Sequence, residues 1–368
     1  MFKNKGERRV PTWTTFWYRS YYAIDWLYLT TIDGRKLSAD VAAAKTYLVN
    51  RLSKQTKEFT IYGKAYSAII LGHNGYEQKA KEYLQSIREY TVYKEEMGRY
   101  FDTRKAYYSW FDYKIPTEVA AIEAIRLLQP ADTKTVEEMQ RWLLQEKRTQ
   151  SWDTPLNAVD AVYAFMKGNT DVLENQGSLA VLKVDGKQLE ISAATAGLGY
   201  VKSSQTGSGF KTFTAEKTSQ GTSWGAVYTR SFQPLTEIND AQSGLKVKRE
   251  VIAQDKTLNT LKVGDRIRVR ITIEADRDYD FVQVSDKRAA CLEPLGQLSG
   301  YHWGYYCAPR DNVTNYYFDR MAKGTHIVET EYYVDRTGTY QTGTCTVQCA
   351  YSPEYTARAA ARQITVSE

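Results

Sequence analysis

Hydrophobic positions in the first 170 residues recur at helical spacing, with breakers at regular intervals between them. The spacing predicts helices at 14–29, 38–53, 60–71, 76–90, 116–129, 134–147 and 155–167, and Asp33-Gly34, residues 72–75, Pro130 and Gly168-Asn169 separate several of them. Alternate helices differ in character. Segments 14–30, 61–71, 115–128 and 155–166 are apolar around most of their circumference, whereas 77–90 and 136–148 are amphipathic. A helix apolar on every side is buried on every side, and an amphipathic one keeps a wet face. Two concentric helical layers follow, as in an α/α toroid or part of one. The short repeat Ala23-Ile24-Asp25, Ala68-Ile69-Ile70, Ala121-Ile122-Glu123 and Ala158-Val159-Asp160 falls at similar places in the four inner helices. Its spacings of 45, 53 and 37 residues suit helical hairpins.

Beyond residue 168 the period shifts towards two, and Gly, Thr and Tyr take over. Strands are predicted at 179–184, 198–202, 211–217, 224–232, 245–252, 266–274, 281–286, 315–318, 324–334 and 338–351. Asp185-Gly186 is a hairpin signal, and Arg336-Thr337-Gly338 fits a further turn. Cys345, Val347, Cys349 and Tyr351 alternate with Thr346 and Gln348, the pattern of a half-buried strand in an antiparallel sandwich. The polar stretch 239–244 is expected to separate two β units. The reading is therefore a multidomain α and β chain: a partial α/α toroid at 1–169, a β segment at 170–238 and an antiparallel β-sandwich at 239–368.

Composition narrows the functional classes. A 368-residue chain with 42% hydrophobic and 25% charged residues belongs among folded proteins. The 49 basic and 43 acidic residues leave a net +6, too dilute to imply nucleic acid or an anionic membrane as partner. That excess lies in the first 170 residues, which hold 26 basic against 20 acidic side chains. No apolar run approaches the roughly 18 residues that a membrane span needs. Residues 1–10 lack the apolar core of a signal peptide. The three His are far apart and no Cys-x-x-Cys pair occurs, which argues against His-rich or Cys-ligated metal centres.

Three acids on expected inner helices, Asp25, Glu123 and Asp160, are the candidate catalytic carboxylates, since a buried pair could act as general acid and base on a polysaccharide. The structural alternative is that each caps a loop or pairs with a neighbour such as Arg19 or Arg126. In the aromatic run at residues 13–22, Trp13, Trp17 and Tyr21 continue to Ile24 and Tyr28 at helical spacing, which favours core packing over ligand stacking. Cys345 and Cys349, four apart in a strand, are about 13 Å apart and beyond disulfide reach. A bridge from Cys307 to either remains open if the compartment is oxidising. No nucleotide-binding glycine motif and no Gly-x-Ser-x-Gly is present, and no cofactor is expected.

Several long segments carry a family resemblance. Residues 138–144 (Glu-Met-Gln-Arg-Trp-Leu-Leu), Thr149-Gln150-Ser151-Trp152-Asp153-Thr154-Pro155 and 158–164 (Ala-Val-Asp-Ala-Val-Tyr-Ala) resemble the last hairpin of the thioester domain in bacterial alpha-2-macroglobulins. Ile115-Pro116-Thr117-Glu118-Val119 is similar to an inner-helix start of that domain. Gly197-Leu198-Gly199-Tyr200-Val201-Lys202 and Ser223-Trp224-Gly225-Ala226-Val227-Tyr228 resemble the sheet segments that follow it. Asp276-Arg277-Asp278-Tyr279, residues 286–294 and Gly338-Thr339-Tyr340-Gln341 resemble the C-terminal macroglobulin-like domain.

The resemblance implies the C-terminal part of a much larger, non-enzymatic protease-trapping protein. Its partners would be the trapped proteases and the upstream domains of the same polypeptide, and its location the periplasm or cell envelope. Segment 170–238 would be the return half of a split sheet domain, and more helices upstream would complete the toroid. The family's thioester motif, Cys-x-Glu-Gln, is absent; Cys291-Leu292-Glu293-Pro294 ends in proline, which has no side-chain amide to form the bond. Cys291 is therefore expected to be a buried free thiol. The competing functions are a toroid enzyme working through Asp25, Glu123 or Asp160, and a surface module that binds peptide or glycan.

Overall fold

A computed structural model of the chain describes residues 21–54, 59–102, 114–152, 154–167, 180–190, 202–218, 225–253, 261–296 and 298–368. The chain divides into two compact units, the first of residues 1–143 and 153–226, the second of residues 144–152 and 227–368.

The described part of the first unit is mainly helical: α1 (Tyr21–Ile32), α2 (Ala39–Ser53), α3 (Ile61–His73), α4 (Glu77–Arg88), α5 (Lys114–Leu128), the body of α6 (Thr133–Thr149) and α7 (Pro155–Met166). Local chemistry sets several starts. Thr60 and Thr154 each accept a hydrogen bond from the backbone N–H three residues on, Gly63 and Asn157, and Pro155 takes the first helical position, where no donor is needed. The odd-numbered helices pack in sequence, α1 on α3, α3 on α5 and α5 on α7. α3 and α5 bury most of their positions, including Ala65, Ala68, Ile69, Ile70, Ala120, Ala121, Ile122 and Ala124, so small side chains let the helices approach closely. α4 buries one stripe, Ala80, Tyr83, Leu84 and Ile87.

The layered expectation fails in part for α7, which is apolar but buries only Asn157, Ala161 and Ala164 among its described positions while Leu156, Val159, Val162 and Met166 stand exposed. Its described partners are α5 and Gln140 of α6, which donates to the Ala164 carbonyl at 2.9 Å, and the repeat position Val159 does not follow its counterparts inward. The expected helix at 14–29 is seen from Tyr21 onward; its earlier part, with Trp13, Trp17 and Arg19, lies outside the described residues. A hairpin of β1 (Thr91–Lys94) and β2 (Gly98–Phe101) interrupts the helices where none was expected. Its weak period-two signal is masked by the charged turn between the strands. β3 (Val181–Val184) pairs with β4 (Lys187–Gln188) and β5 (Phe213–Glu216), and the turn at Asp185 (φ 47°) and Gly186 (φ 79°) has both central residues left-handed, as the Asp-Gly signal requires.

The second unit is β-sandwich-like. Its strands are β6 (Ala241–Ser243), β7 (Leu245–Ile252), β8 (Leu261–Lys262), β9 (Arg266–Ala275), β10 (Tyr279–Lys287), β11 (Leu292–Pro294), β12 (Gly300–His302), β13 (Tyr305–Pro309), β14 (Val313–Met321), β15 (Gly324–Val334), β16 (Gly338–Gln341), β17 (Cys345–Cys349), β18 (Thr356–Ala359) and β19 (Gln363–Ser367). Eleven form one antiparallel sheet in the order β11-β15-β9-β7-β6-β18-β17-β10-β14-β13-β12, while β16, β19 and β8 form a second. Alternation puts Ile267, Val269, Ile271 and Ile273 of β9 and Val328, Tyr332 and Val334 of β15 inside. They share one core with Val282 and Val284 of β10, Tyr316 and Phe318 of β14 and Cys345, Val347 and Cys349 of β17.

Four expectations are corrected. Residues 225–232, expected in a strand, are unpaired, exposed backbone. The expected run 338–351 breaks in two because the chain changes sheet at Gly343, where φ is +74° and an added Cβ would lie 2.6 Å from Lys287 Cβ. Tyr351 lies past the end of β17 and points outward rather than sharing the cysteine face. The polar stretch 239–244 contains β6, paired with β18, so its polarity marks an exposed strand rather than a linker. Of the expected strand 198–202, residues 198–201 lie outside the described residues.

Candidate functional site

The three acids named from the sequence lie on α1, α5 and α7, and the helical unit brings them around one tyrosine cluster. Glu123 is its hub, with 4% of its surface exposed. One carboxylate oxygen accepts from Tyr28 Oη at 2.5 Å; the other accepts from Tyr163 Oη at 3.0 Å and from Lys167 Nζ. Lys167 also donates to the Tyr163 hydroxyl. On α3, Tyr66 stacks on Tyr28 with ring centroids 4.3 Å apart and meets Tyr62 edge-on at 4.6 Å. Tyr62 donates a long hydrogen bond, 3.4 Å, to Asp25.

Burial controls the protonation of this cluster. It raises the carboxyl of Asp25, which the Tyr62 hydrogen bond partly offsets, and that of Asp160, to which negative Glu123 adds. Burial also lifts the phenols of Tyr28 and Tyr66 far above their ordinary range, helped at Tyr28 by its bond to Glu123. Lys167 is pulled down by desolvation but raised further by Glu123 and Tyr163, so it stays charged. Arg126 is lowered by burial and donates to the Ala164 carbonyl at 2.6 Å. Of the two arginines expected as partners for the acids, Arg126 thus holds a helix end, and the ion-pair partner of Glu123 is Lys167.

This geometry decides what each acid can do. Glu123 is enclosed by three donors, and tying α1 and the end of α7 to α5 is the work its bonds perform. Asp25 and Asp160 are only half-buried, so of the three acids these two are the more open to a ligand. Among the described residues no group of three or more His, Cys, Asp or Glu is arranged to hold a metal ion. Sequence reading missed Tyr62, Tyr66, Tyr163 and Lys167. A signal was present: Tyr62 and Tyr66, and Tyr163 and Lys167, are each four apart and so share a face of an otherwise apolar helix.

The second unit holds a second polar centre that the sequence did not disclose. Asp286, fully buried, lies 2.8 Å from Arg249 Nε, and the Arg249 guanidinium also donates to the carbonyls of Gly343 (3.2 Å) and Lys287 (2.9 Å). Burial raises the Asp286 carboxyl to about 6, against the opposing pull of Arg249 and a Cys345 hydrogen bond. All four cysteines are buried and free, and burial lifts the thiol of Cys291. Residues 144–152 belong to this unit: Ser151 donates from its N–H and its hydroxyl to Asp280 (2.7 and 2.8 Å), Ser352 donates to the Arg148 carbonyl (2.6 Å), and Arg148 pairs with Glu354.

Residues 244–354, most of the second unit, match the family model described as the bacterial alpha-2-macroglobulin MG10 domain. No curated protein matches the chain. Among solved structures, trypsin-activated alpha-2-macroglobulin from Escherichia coli is 12% identical and covers 94% of this chain, with a TM-score of 0.49. Salmonella alpha-2-macroglobulin reacted with methylamine is 16% identical over 94% of the chain, with a TM-score of 0.34. Native Escherichia coli alpha-2-macroglobulin spanning MG7 to the C-terminus is 15% identical over 98%, with a TM-score of 0.33. The chain spans 27%, 24% and 60% of those three chains in turn.

Proposed function

With residues 244–354 matching the MG10 domain of the bacterial alpha-2-macroglobulins, we propose that this chain is the non-catalytic C-terminal portion of a protease-trapping protein of that kind. The match lies on a unit whose core is closed around apolar strands and one ion pair, which supports a structural rather than a catalytic role. In this reading the helical part is a segment of the toroid, segment 170–238 completes a split sheet domain, and 239–368 is the macroglobulin-like sandwich. The partners are the proteases trapped by the full-length protein and the upstream domains of the same polypeptide, in the periplasm or cell envelope. Among the described residues no helix is long and apolar enough to cross a membrane.

The chain contributes no covalent chemistry of its own. Thioester formation needs a thiol to attack a glutamine amide with loss of ammonia; the sequence has no Cys-x-Glu-Gln, and Cys291 is sealed in the core. Two measurements test the proposal. An antibody against the second unit should detect, in the native cell, a polypeptide several times the 42.1 kDa of this chain whose migration changes after trypsin or elastase treatment. A native species of about this chain's mass, inert to proteases, would overturn it. Intact mass of the chain itself should be unchanged by methylamine, and a gain mapped to Cys291 would reopen covalent capture.

The convergence of Asp25, Glu123 and Asp160 favours one second reading, a polysaccharide-active toroid. Enclosure of Glu123 weighs against it, because a general acid or base must reach the substrate. Activity on a polysaccharide panel that Asp160→Asn or Asp25→Asn abolishes would establish it; no activity is the expected result.

A further inference from the structure

The two ends of the eleven-stranded sheet are finished differently. At one end β11 carries Glu293 and Pro294, the charge and the missing donor that usually protect an edge from pairing with another chain. At the other end β12 carries neither. From Pro294 to Pro309 the sequence has no Asp, Glu, Lys or Arg, and β12 pairs only with β13 among the described residues. The hairpin turns tightly through Trp303-Gly304, with Gly304 at φ +89°, and presents Leu298, Tyr301 and Trp303 at 81%, 80% and 100% exposure.

The central strand residues, Tyr301 and His302, are held in place by ring contacts. Tyr301 meets Tyr306 edge-on at 5.0 Å, and His302 stacks on Tyr305 at 5.3 Å. Tyr305 in turn packs on Tyr316 and Phe318, both buried. A surface anchored in this way loses little side-chain freedom when covered.

We propose that β12 is a self-association edge, pairing antiparallel with β12 of a second copy of this chain about a two-fold axis at Tyr301. That register sets Gly300 opposite His302 of the partner subunit, so an imidazole meets a residue with no side chain, and it satisfies the open backbone groups of both edges. Absence of charge along the hairpin removes self-repulsion. The two rings and the leucine offer roughly 500 to 600 Å² per copy, about 1,100 Å² in all, at the lower limit for a specific contact. The dimer is therefore weak, with a dissociation constant in the micromolar range. A membrane fits the same rings less well, since the charges flanking the hairpin, Glu293, Arg310 and Asp311, make no cationic rim for an anionic bilayer. A glycan would leave the strand edge unpaired.

Sedimentation velocity of the full chain across a concentration series tests this. The expected result is a monomer–dimer equilibrium that Tyr301→Lys with Trp303→Ser weakens by about tenfold or more, with unchanged circular dichroism because neither side chain enters the core. Under mild oxidation Tyr301→Cys should cross-link rapidly, since the axis brings the two positions within disulfide reach, and Ser299→Cys should not. A chain monomeric throughout, a dimer indifferent to the double replacement, or equal cross-linking at both positions would overturn the proposal. So would a monomer whose hairpin instead binds anionic vesicles or a soluble polysaccharide.

Discussion

Asp286 enters the core with a carboxyl raised to about 6, so its titration works against the fold in one defined pH window. The folded form holds the proton more tightly than the unfolded one; the group's contribution is most favourable below the unfolded value near 4 and declines as pH rises to about 6. Urea unfolding compared with the double variant Arg249→Met with Asp286→Leu isolates it: wild-type stability should fall relative to the variant between pH 4 and 6 and run parallel above. A constant offset would refute the assignment. Arg249→Met alone strands a buried carboxylate and should cost about 3 to 5 kcal/mol at pH 7, most of it recovered in the double variant. Tyr28→Phe removes one of three donors to Glu123 without opening a cavity, and a loss of about 1 to 2 kcal/mol is expected in the same assay.

Glycine 98 decides whether the β1–β2 hairpin can form. Its φ is +86°, and an added Cβ would stand 2.2 Å from the Glu138 carbonyl oxygen on α6. Gly98→Ala should therefore cost about 3 kcal/mol or more, through both strain and backbone collision. Gly75→Ala, at φ +82° in open space, carries only the strain, about 1 kcal/mol. Thermal unfolding of the two variants separates the terms, and equal losses would show the contact to be unimportant. The same elements mark how far the sequence could be read. α3, α5, β7, β9 and β15 were legible because their periods run uninterrupted for eight residues or more. β6, β8 and β11 to β13 were not, since strands of two to five residues leave too few positions for a period to register. The acids of the candidate site could be named, but the closure of Tyr28, Tyr163 and Lys167 over Glu123 depends on contacts up to 95 residues apart.

Across the whole chain, stability should be uneven. β5 is exposed along its length and β3 is only half-covered, whereas β9 and β15 sit inside an eleven-strand ladder. Amide exchange is expected within minutes at 181–188 and 213–216, and only through near-global opening at 267–273 and 328–334; uniform protection would contradict this. The buried tyrosines have a last, optical consequence. Tyr28 and Tyr66 in the helical unit and Tyr279 and Tyr332 in the sandwich have phenols that burial pushes far above 10, and such groups withdraw stability as alkali rises past the ordinary phenol range. They cannot ionise until the fold around them opens. Tyrosinate absorbance near 295 nm should then rise as a late cooperative step on alkaline titration, and that step should vanish in concentrated urea, where every ring is already in water. The chain thus carries an unlabelled spectrophotometric gauge of its own unfolding, with sensors in both units.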